Sequence, residues 1–344
     1  AMIPPRTPEV ATERVVAADD AGRTLAAVVR VAMAVPWRRA KELCTRGCVR
    51  VDGVLVRDDT ARVATGQRVA IDPRAKAVAA PAHDLSRDRI VFLDADVVVV
   101  DKPADLQTVP FDDDDHDSLV QRLAVLLRRI ENHRGPPPRV VQRLDKDTTG
   151  LVVFARTRTA ERELAQQLRA HSMHRRYLGL AFGDVRAATF DTHLVPNAGD
   201  HRRGSWRPRG RERTPPANAK RAITHVEPIE SFAIDPSRLV SPPATVVRAT
   251  LVACTLETGR THQIRIHLAE AGHPLIGEPV YARGIDVPRL VPPTTDAGAV
   301  PLRPLLHAAE LGFVHPQHGR PLRFERALPP DALAWLDHLR GRTR

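Results

Sequence analysis

The chain has 344 residues, more than one average domain holds, and 42% of them are hydrophobic, enough for one large core and a second small one. Lysine and arginine number 52 against 41 aspartates and glutamates, and the formal charge of +11 favours a polyanionic partner, either nucleic acid or an anionic membrane surface. No apolar window of about 18 residues is available to span a bilayer, Ala1 to Arg14 lacks an apolar signal core, and Cys44, Cys48 and Cys254 are an odd set that fits a reducing compartment, so a soluble cytoplasmic protein is expected.

Residues 1–21 carry Pro4-Pro5 and mixed charge without periodicity and read as a mobile tail, with order beginning near Gly22. Leu25, Val28, Val29 and Ala32 recur at helical spacing from Arg23 to Val35, and Pro36 separates this helix from a second, Trp37 to Leu43, which carries Arg38, Arg39 and Lys41. Gly47 to Val56 holds two short alternating runs joined by Asp52-Gly53, a strong hairpin signal, and Gly66 to Ile71 adds a strand. Cys44-x-x-x-Cys48 has no second ligand pair at zinc spacing, so no metal is expected there. Over residues 22–72, two basic helices followed by Gly-x-Val-x-Val-x-Gly and Gly-x-x-Val resemble the S4 RNA-binding domain. The usual Ser-Arg of that domain's second helix appears here as Trp37-Arg38-Arg39. The resemblance implies phosphate contacts from Arg38, Arg39 and Lys41; a helix-hairpin module that binds protein is the alternative. Residues 73–86 lack periodicity and read as a linker.

The second domain is expected over residues 87–344. Ile90 to Pro103 contains two strand-like runs around Asp94-Ala95-Asp96. Asp112 to Asp115 with Asp117 could hold Mg²⁺, but five crowded aspartates in a loop read better as a solvated run turned away from RNA. Ser118 to Ile130 is helical in spacing with Ser118 at the N-cap, and Gly135-Pro-Pro-Pro138 ends it. Next, Leu151 to Ala155 is an apolar run suited to a buried strand, and Asp147-Thr148-Thr149-Gly150 before it is turn chemistry. Arg143 and Asp145 therefore belong on a loop presented by a rigid strand, where chains keep reactive groups. Taken alone, Arg-x-Asp beside a turn is as readily a surface ion pair or a turn cap.

Thr159 to Ala170 reads as an amphipathic helix, and Arg175 to Gly183 as a strand in which Tyr177 would by itself be a core residue. Asn197 to Arg221 is rich in Arg, Pro and Gly, and reads as a flexible basic insertion that meets RNA by charge, with Trp206 available for stacking, or as a solubilising loop. Arg248 to Thr258 alternates as a strand. His262 and His267 are five apart, which is wrong for a helical metal pair. Leu306 to Pro316 and Gly319 to Arg326 read as two further strands around a turn.

Arg143-Leu144-Asp145, Thr148-Thr149-Gly150-Leu151 and Phe154-Ala155-Arg156 resemble the active-site motif of the RluA-type pseudouridine synthases. The same order of motifs continues in Lys102-Pro103, Arg175-Arg176-Tyr177, Thr258-Gly259-Arg260-Thr261-His262-Gln263-Ile264-Arg265, Gly272-His273-Pro274 and the closing His307-Ala308 to Phe324 stretch. Four positions depart from the family: Gln142 for His, Asp101 for Asn, Asp105 for Gly and Glu278 for Asp.

The resemblance implies an α+β fold with a mostly antiparallel mixed sheet, and an isomerase that needs neither cofactor nor metal. Asp145 would be the catalytic group, as nucleophile or as base and stabiliser of a ribosyl intermediate. A carboxyl buried under a base tends to protonate, and Arg265 is the expected cation opposing that shift, with Arg260 as the substitute. Tyr177 would face the uracil, Ile264 or Ile266 pack on it, and Arg143 fill the gap left by the displaced base; His262 and Arg260 complete the substrate side. The implied partner of a monomeric enzyme is structured RNA, large-subunit ribosomal RNA first and transfer RNA second. A non-catalytic ribosome-assembly factor is the rival reading, resting on Gln142 and Asp105. A membrane-docking protein would need a basic amphipathic helix with a bulky apolar face, which is lacking.

Overall fold

The computed structural model describes residues 11–52, 54–56, 59–74, 85–110, 117–131, 136–198, 202–208, 214–240, 243, 245–282, 284–295, 298–300 and 302–341. The acidic run Asp112 to Asp115, most of the 73–86 linker, and residues 199–201 and 209–213 of the basic insertion lie outside them. The chain divides into two compact units, Ala1–His83 and Asp84–Arg344. Among the described residues no helix is long and apolar enough to cross a membrane.

The first unit contains β1 (Thr12–Val15), α1 (Leu25–Met33), α2 (Trp37–Thr45), β2 (Val49–Val51), β3 (Val54–Leu55) and β4 (Arg68–Ile71). Its four strands pair antiparallel in the order β1-β4-β2-β3. Leu25, Val28 and Val29 of α1 meet Leu43 and Cys44 of α2 over Val49, Val69 and Ile71 of the sheet, one apolar face per element. The side chain of Thr24 accepts from the Ala27 amide and caps α1.

The tail expected through residue 21 is corrected. Thr12–Val15 pairs along β4, with Thr12 opposite Ile71, and Val16 is buried. Mixed charge obscured this strand because the charges are partners: Asp20 sits 2.6 Å from Arg14 and 3.1 Å from Arg23.

The second unit opens with β5 (Ile90–Leu93), β6 (Val97–Lys102), α3 (Leu119–Ile130), β7 (Arg139–Val140), β8 (Thr149–Ala155) and α4 (Arg158–Arg169). It continues with β9 (His174–Phe182), β10 (Ala188–Val195), β11 (Gly204–Ser205), β12 (Lys220–Ala233), β13 (Arg248–Leu256) and α5 (Gln263–Glu270). β14 (Thr294–Thr295) and β15 (Gly298–Ala299) form a small ribbon before β16 (Leu306–Val314), β17 (Pro321–Glu325) and α6 (Pro330–Leu339).

One sheet runs β11-β10-β12-β13-β9-β16-β8-β6-β5, with β17 on β16 and β7 on β8. Among the described residues of this sheet only the β16 and β8 pairing is parallel, so the expected mostly antiparallel α+β architecture is what the chain adopts. β8 is buried along its whole length because both faces are covered. Val152 and Phe154 pack with Leu119, Leu123 and Leu127 of α3, while Leu151, Val153 and Ala155 pack with Ala160 and Leu164 of α4. This is why the sequence shows a continuous apolar run there instead of alternation.

Gly150, the second residue of this strand, has φ +106°, and a Cβ there would lie 2.3 Å from the Ala308 carbonyl oxygen of β16. Gly150→Ala is therefore expected to destabilise the protein by about 2–4 kcal/mol through strain and overlap. Gly319→Ala, also at positive φ but with open space around it, should cost only about 1 kcal/mol. Thermal melting of the two variants side by side checks the ranking.

Candidate active site

The loop between β7 and β8 owes its shape to groups outside it. Lys102, wholly buried at the end of β6, donates to the carbonyls of Pro103 (2.9 Å), Leu106 (2.7 Å) and Lys146 (2.7 Å). Burial drives its pKa down to about 7, against the pull of Asp147 and Asp145. The Thr108 hydroxyl donates to the Leu144 carbonyl (2.8 Å) and accepts from the Leu144 amide (3.0 Å). Arg303 Nη1 donates to the Asp147 carbonyl at 3.0 Å, and the Thr148 amide to that of Asp145 at 3.1 Å. With the backbone held at 144, 146 and 147, the Asp145 carboxylate is presented 24% exposed in a cleft of about 690 Å³.

The opposite wall starts at α5. Gln263 uses its whole amide to fix the entry to this helix: Oε1 accepts from Thr258 Oγ1 (2.8 Å) and the Arg260 amide (2.9 Å), and Nε2 donates to the Ile223 carbonyl and Thr224 Oγ1 (both 2.9 Å). Two residues on, Arg265 Nε and Nη2 donate to Glu278 Oε2 and Oε1 at 2.7 and 2.8 Å, and Nη1 lies 3.5 Å from Asp145 Oδ2. Burial opposes the Arg265 charge most strongly, but the hydrogen bonds and charge of Glu278 together with the charge of Asp145 outweigh it and its pKa rises. Glu278 is itself held by the amides of Val280 (2.9 Å) and Tyr281 (3.2 Å).

His262, in the left-handed region at φ 59°, places Nδ1 2.7 Å from the Tyr281 hydroxyl and Nε2 3.9 Å from Asp145 Oδ2. Burial lowers the His262 pKa and raises that of Tyr281. The phenol keeps its proton, and the Asp145 carboxylate facing Nε2 favours the Nε2–H tautomer, in which Nδ1 accepts from the phenol. Tyr281→Phe should release the ring and shift the acid limb of the pH–rate profile, which a single-turnover titration of both proteins would show. Tyr177 lines the same cleft from β9, 8% exposed, and burial lifts its pKa to about 12, so it is a neutral phenol.

Residues 96–270 of the chain, half its length, match the RNA pseudouridylate synthase family. This chain belongs to that family. It is 37% identical over 254 residues to ribosomal large subunit pseudouridine synthase D of Nitrosomonas europaea, an alignment covering 74% of this chain and 65% of that protein. Against the protein of the same name from Zymomonas mobilis the identity is 33% over 303 residues, covering 85% and 86%. The solved structure of human RNA Pseudouridylate Synthase Domain Containing 4 is similar in fold, with a TM-score of 0.54 at 21% identity over 74% of this chain and 93% of that one.

In this pseudouridylate synthase the cleft brings together Arg143, Asp145, Tyr177, Arg260, His262, Ile264 and Arg265 of the expected residues. Arg260 does not stand in for Arg265; its Nε donates to the Arg221 carbonyl at 2.9 Å. The expectation that Ile266 could pack on the base is corrected. Two residues along a helix turn the side chain to the far face, and Ile266 is 1% exposed against Leu194 and Ala222. Arg38, Arg39 and Lys41 lie on α2 of the first unit, where Arg39 pairs with Glu42 (2.9 Å) and Lys41 with Asp59 (4.0 Å). Among the described residues, Asp94, His315 and His318 are spaced like metal ligands, but none lines the cleft. His315 Nε2 is instead 2.8 Å from Asp94 Oδ2, while its Nδ1 accepts from the Gln317 amide at 3.2 Å.

Proposed function

We propose that this synthase isomerises specific uridines of large-subunit ribosomal RNA to pseudouridine, with Asp145 as the group that acts on the nucleoside. The observation that carries this reading is the Asp145 carboxylate set 3.5 Å from Arg265 Nη1 and 3.9 Å from His262 Nε2 inside the cleft. The names of the Nitrosomonas and Zymomonas relatives support the choice of RNA.

The reaction breaks the bond from N1 to C1′, turns the uracil and joins C5 to C1′; C5 gives up its proton and N1 regains one. No electrons are gained or lost, so the balance calls for no redox cofactor. The target base must leave its stack, at a cost of about a few kcal/mol. Tyr177, neutral and mostly buried, supplies a flat wall for the displaced uracil, and Ile264 adds apolar contact. Arg143, exposed at the rim, is suited to fill the vacated stack.

The enzyme would act in the cytoplasm as a monomer, and its three free, buried cysteines fit a reducing compartment. The S4-like unit would add phosphate contacts through α2, where Arg38 is exposed. Sedimentation at working concentration tests the monomer.

Tritium release from transcripts carrying 5-tritiated uridine tests the function. Release from large-subunit transcripts, with transfer RNA silent, is expected. Release from transfer RNA alone would reassign the substrate, and silence on every transcript with RNA binding intact would favour an assembly factor.

A further inference from the structure

The basic insertion, expected to be flexible throughout, contains a built segment. β11 pairs with Leu194 and Val195 of β10, and the Trp206 amide donates to the His193 carbonyl at 2.7 Å. The Ser205 amide donates to Glu270 Oε1 at the end of α5 (2.8 Å), and its hydroxyl to Thr192 Oγ1 (3.1 Å). Arg202 Nη1 donates to the Val280 carbonyl at 2.7 Å. A Cβ on Gly204 would stand 2.8 Å from that of Ala198 and 3.1 Å from Glu270 Oε1, so the close seating of this arm requires glycine.

The Arg202 bond ties the start of this segment to the turn from Glu278 to Tyr281, whose tyrosine bonds the histidine beside Asp145. Arg202 is engaged by the Val280 carbonyl, and nearby Arg221 is neutralised by Asp191 at 2.6 Å. Arg203 and Arg207 differ: both are exposed, and among the described residues neither has an ion-pair partner. Arg203 directly follows Arg202, whose guanidinium bonds the Val280 carbonyl one residue before Tyr281, and the Tyr281 hydroxyl lies 2.7 Å from His262 Nδ1.

Resting on the RNA-substrate reading, we propose that residues 202–208 form an RNA-binding rim of the cleft, with Arg203 and Arg207 contacting phosphates that flank the target uridine. Two exposed cations on an arm already fixed by four hydrogen bonds and a strand pairing lose little freedom on binding, and little of their attraction for phosphate is lost to ordering.

The test compares the full-length wild type, an Arg203→Gln/Arg207→Gln protein and an Arg203→Lys/Arg207→Lys protein on a large-subunit ribosomal RNA fragment. Dissociation constants are measured across a salt series, with single-turnover rates at saturating RNA and melting temperatures alongside. The glutamine protein should bind about tenfold or more weakly at low salt, and its plot of log affinity against log salt should be shallower by about 1.4–1.8, the value for two lost phosphate contacts. The loss should sit in affinity and not in the saturating rate, and the lysine protein should recover most of it. Equal affinity and slope in all three proteins would overturn the rim. So would a reduced saturating rate at unchanged affinity, which would mean that the arm only props the Tyr281 turn. A wild type that neither binds nor isomerises any RNA would overturn the functional reading first, before any variant is compared.

Discussion

Asp145→Asn is expected to lose pseudouridine formation by on the order of 10⁴-fold or more, while folding and RNA binding survive. Asparagine keeps the size of the side chain and removes its negative charge. The surroundings do not depend on that charge: Arg265 stays clamped by Glu278 at 2.7 and 2.8 Å, and the loop backbone stays bonded to Lys102, Thr108 and Arg303. Single-turnover tritium release, a binding titration and a melting curve on the same preparation would separate the three properties. A variant retaining activity within tenfold of wild type would show that this carboxylate is not the reacting group.

Glu278→Ala is expected to damage stability and catalysis together. It strips a buried guanidinium of its two-pronged partner and leaves the Val280 and Tyr281 amides without their acceptor. Removing one half of a buried pair costs about 3–5 kcal/mol. Arg265 would then turn toward Asp145 or solvent, and a displacement of about 1 Å at a reacting group costs roughly a hundredfold in rate. Glu278→Asp, the residue usual in the family the motifs resemble, keeps the charge one methylene short and should lose less on both counts. An alanine protein that melts like wild type would mean that Arg265 is held by something else.

The loop bearing Arg143 and Asp145 was legible because its signals are local: turn residues, then an apolar run that both α3 and α4 cover. Arg265 was legible through its motif, but the use of its three nitrogens was not. Glu278 follows it by 13 positions and Asp145 precedes it by 120, and only the folded chain shows that one guanidinium grips both. Lys102 ends a strand of four valines and an aspartate just before a proline, where a lysine reads as a solvated terminus; two of its carbonyl partners, Pro103 and Leu106, follow it closely, but the third, Lys146, is 44 positions on. The Ile264 and Ile266 alternative could have been decided from helical period alone, since two residues along α5 face opposite ways. β1 was missed because a four-residue edge strand needs backbone partners more than it needs an apolar pattern.

The way the loop bearing Asp145 is held also bears on Gln142, which stands where the resembled family carries histidine. In its ammonium form Lys102 has three protons and places each on a different main-chain oxygen, one of them the Lys146 carbonyl; Thr108 and Arg303 take the carbonyls of Leu144 and Asp147. Main-chain oxygens are common to all twenty amino acids. The path of residues 144–147 is thus insulated from the identity of their own side chains, and position 142 can drift without moving the carboxylate at 145. What cannot drift is the distant trio that grips the loop, so the tolerance of this site to change is written in residues that do not line the cleft.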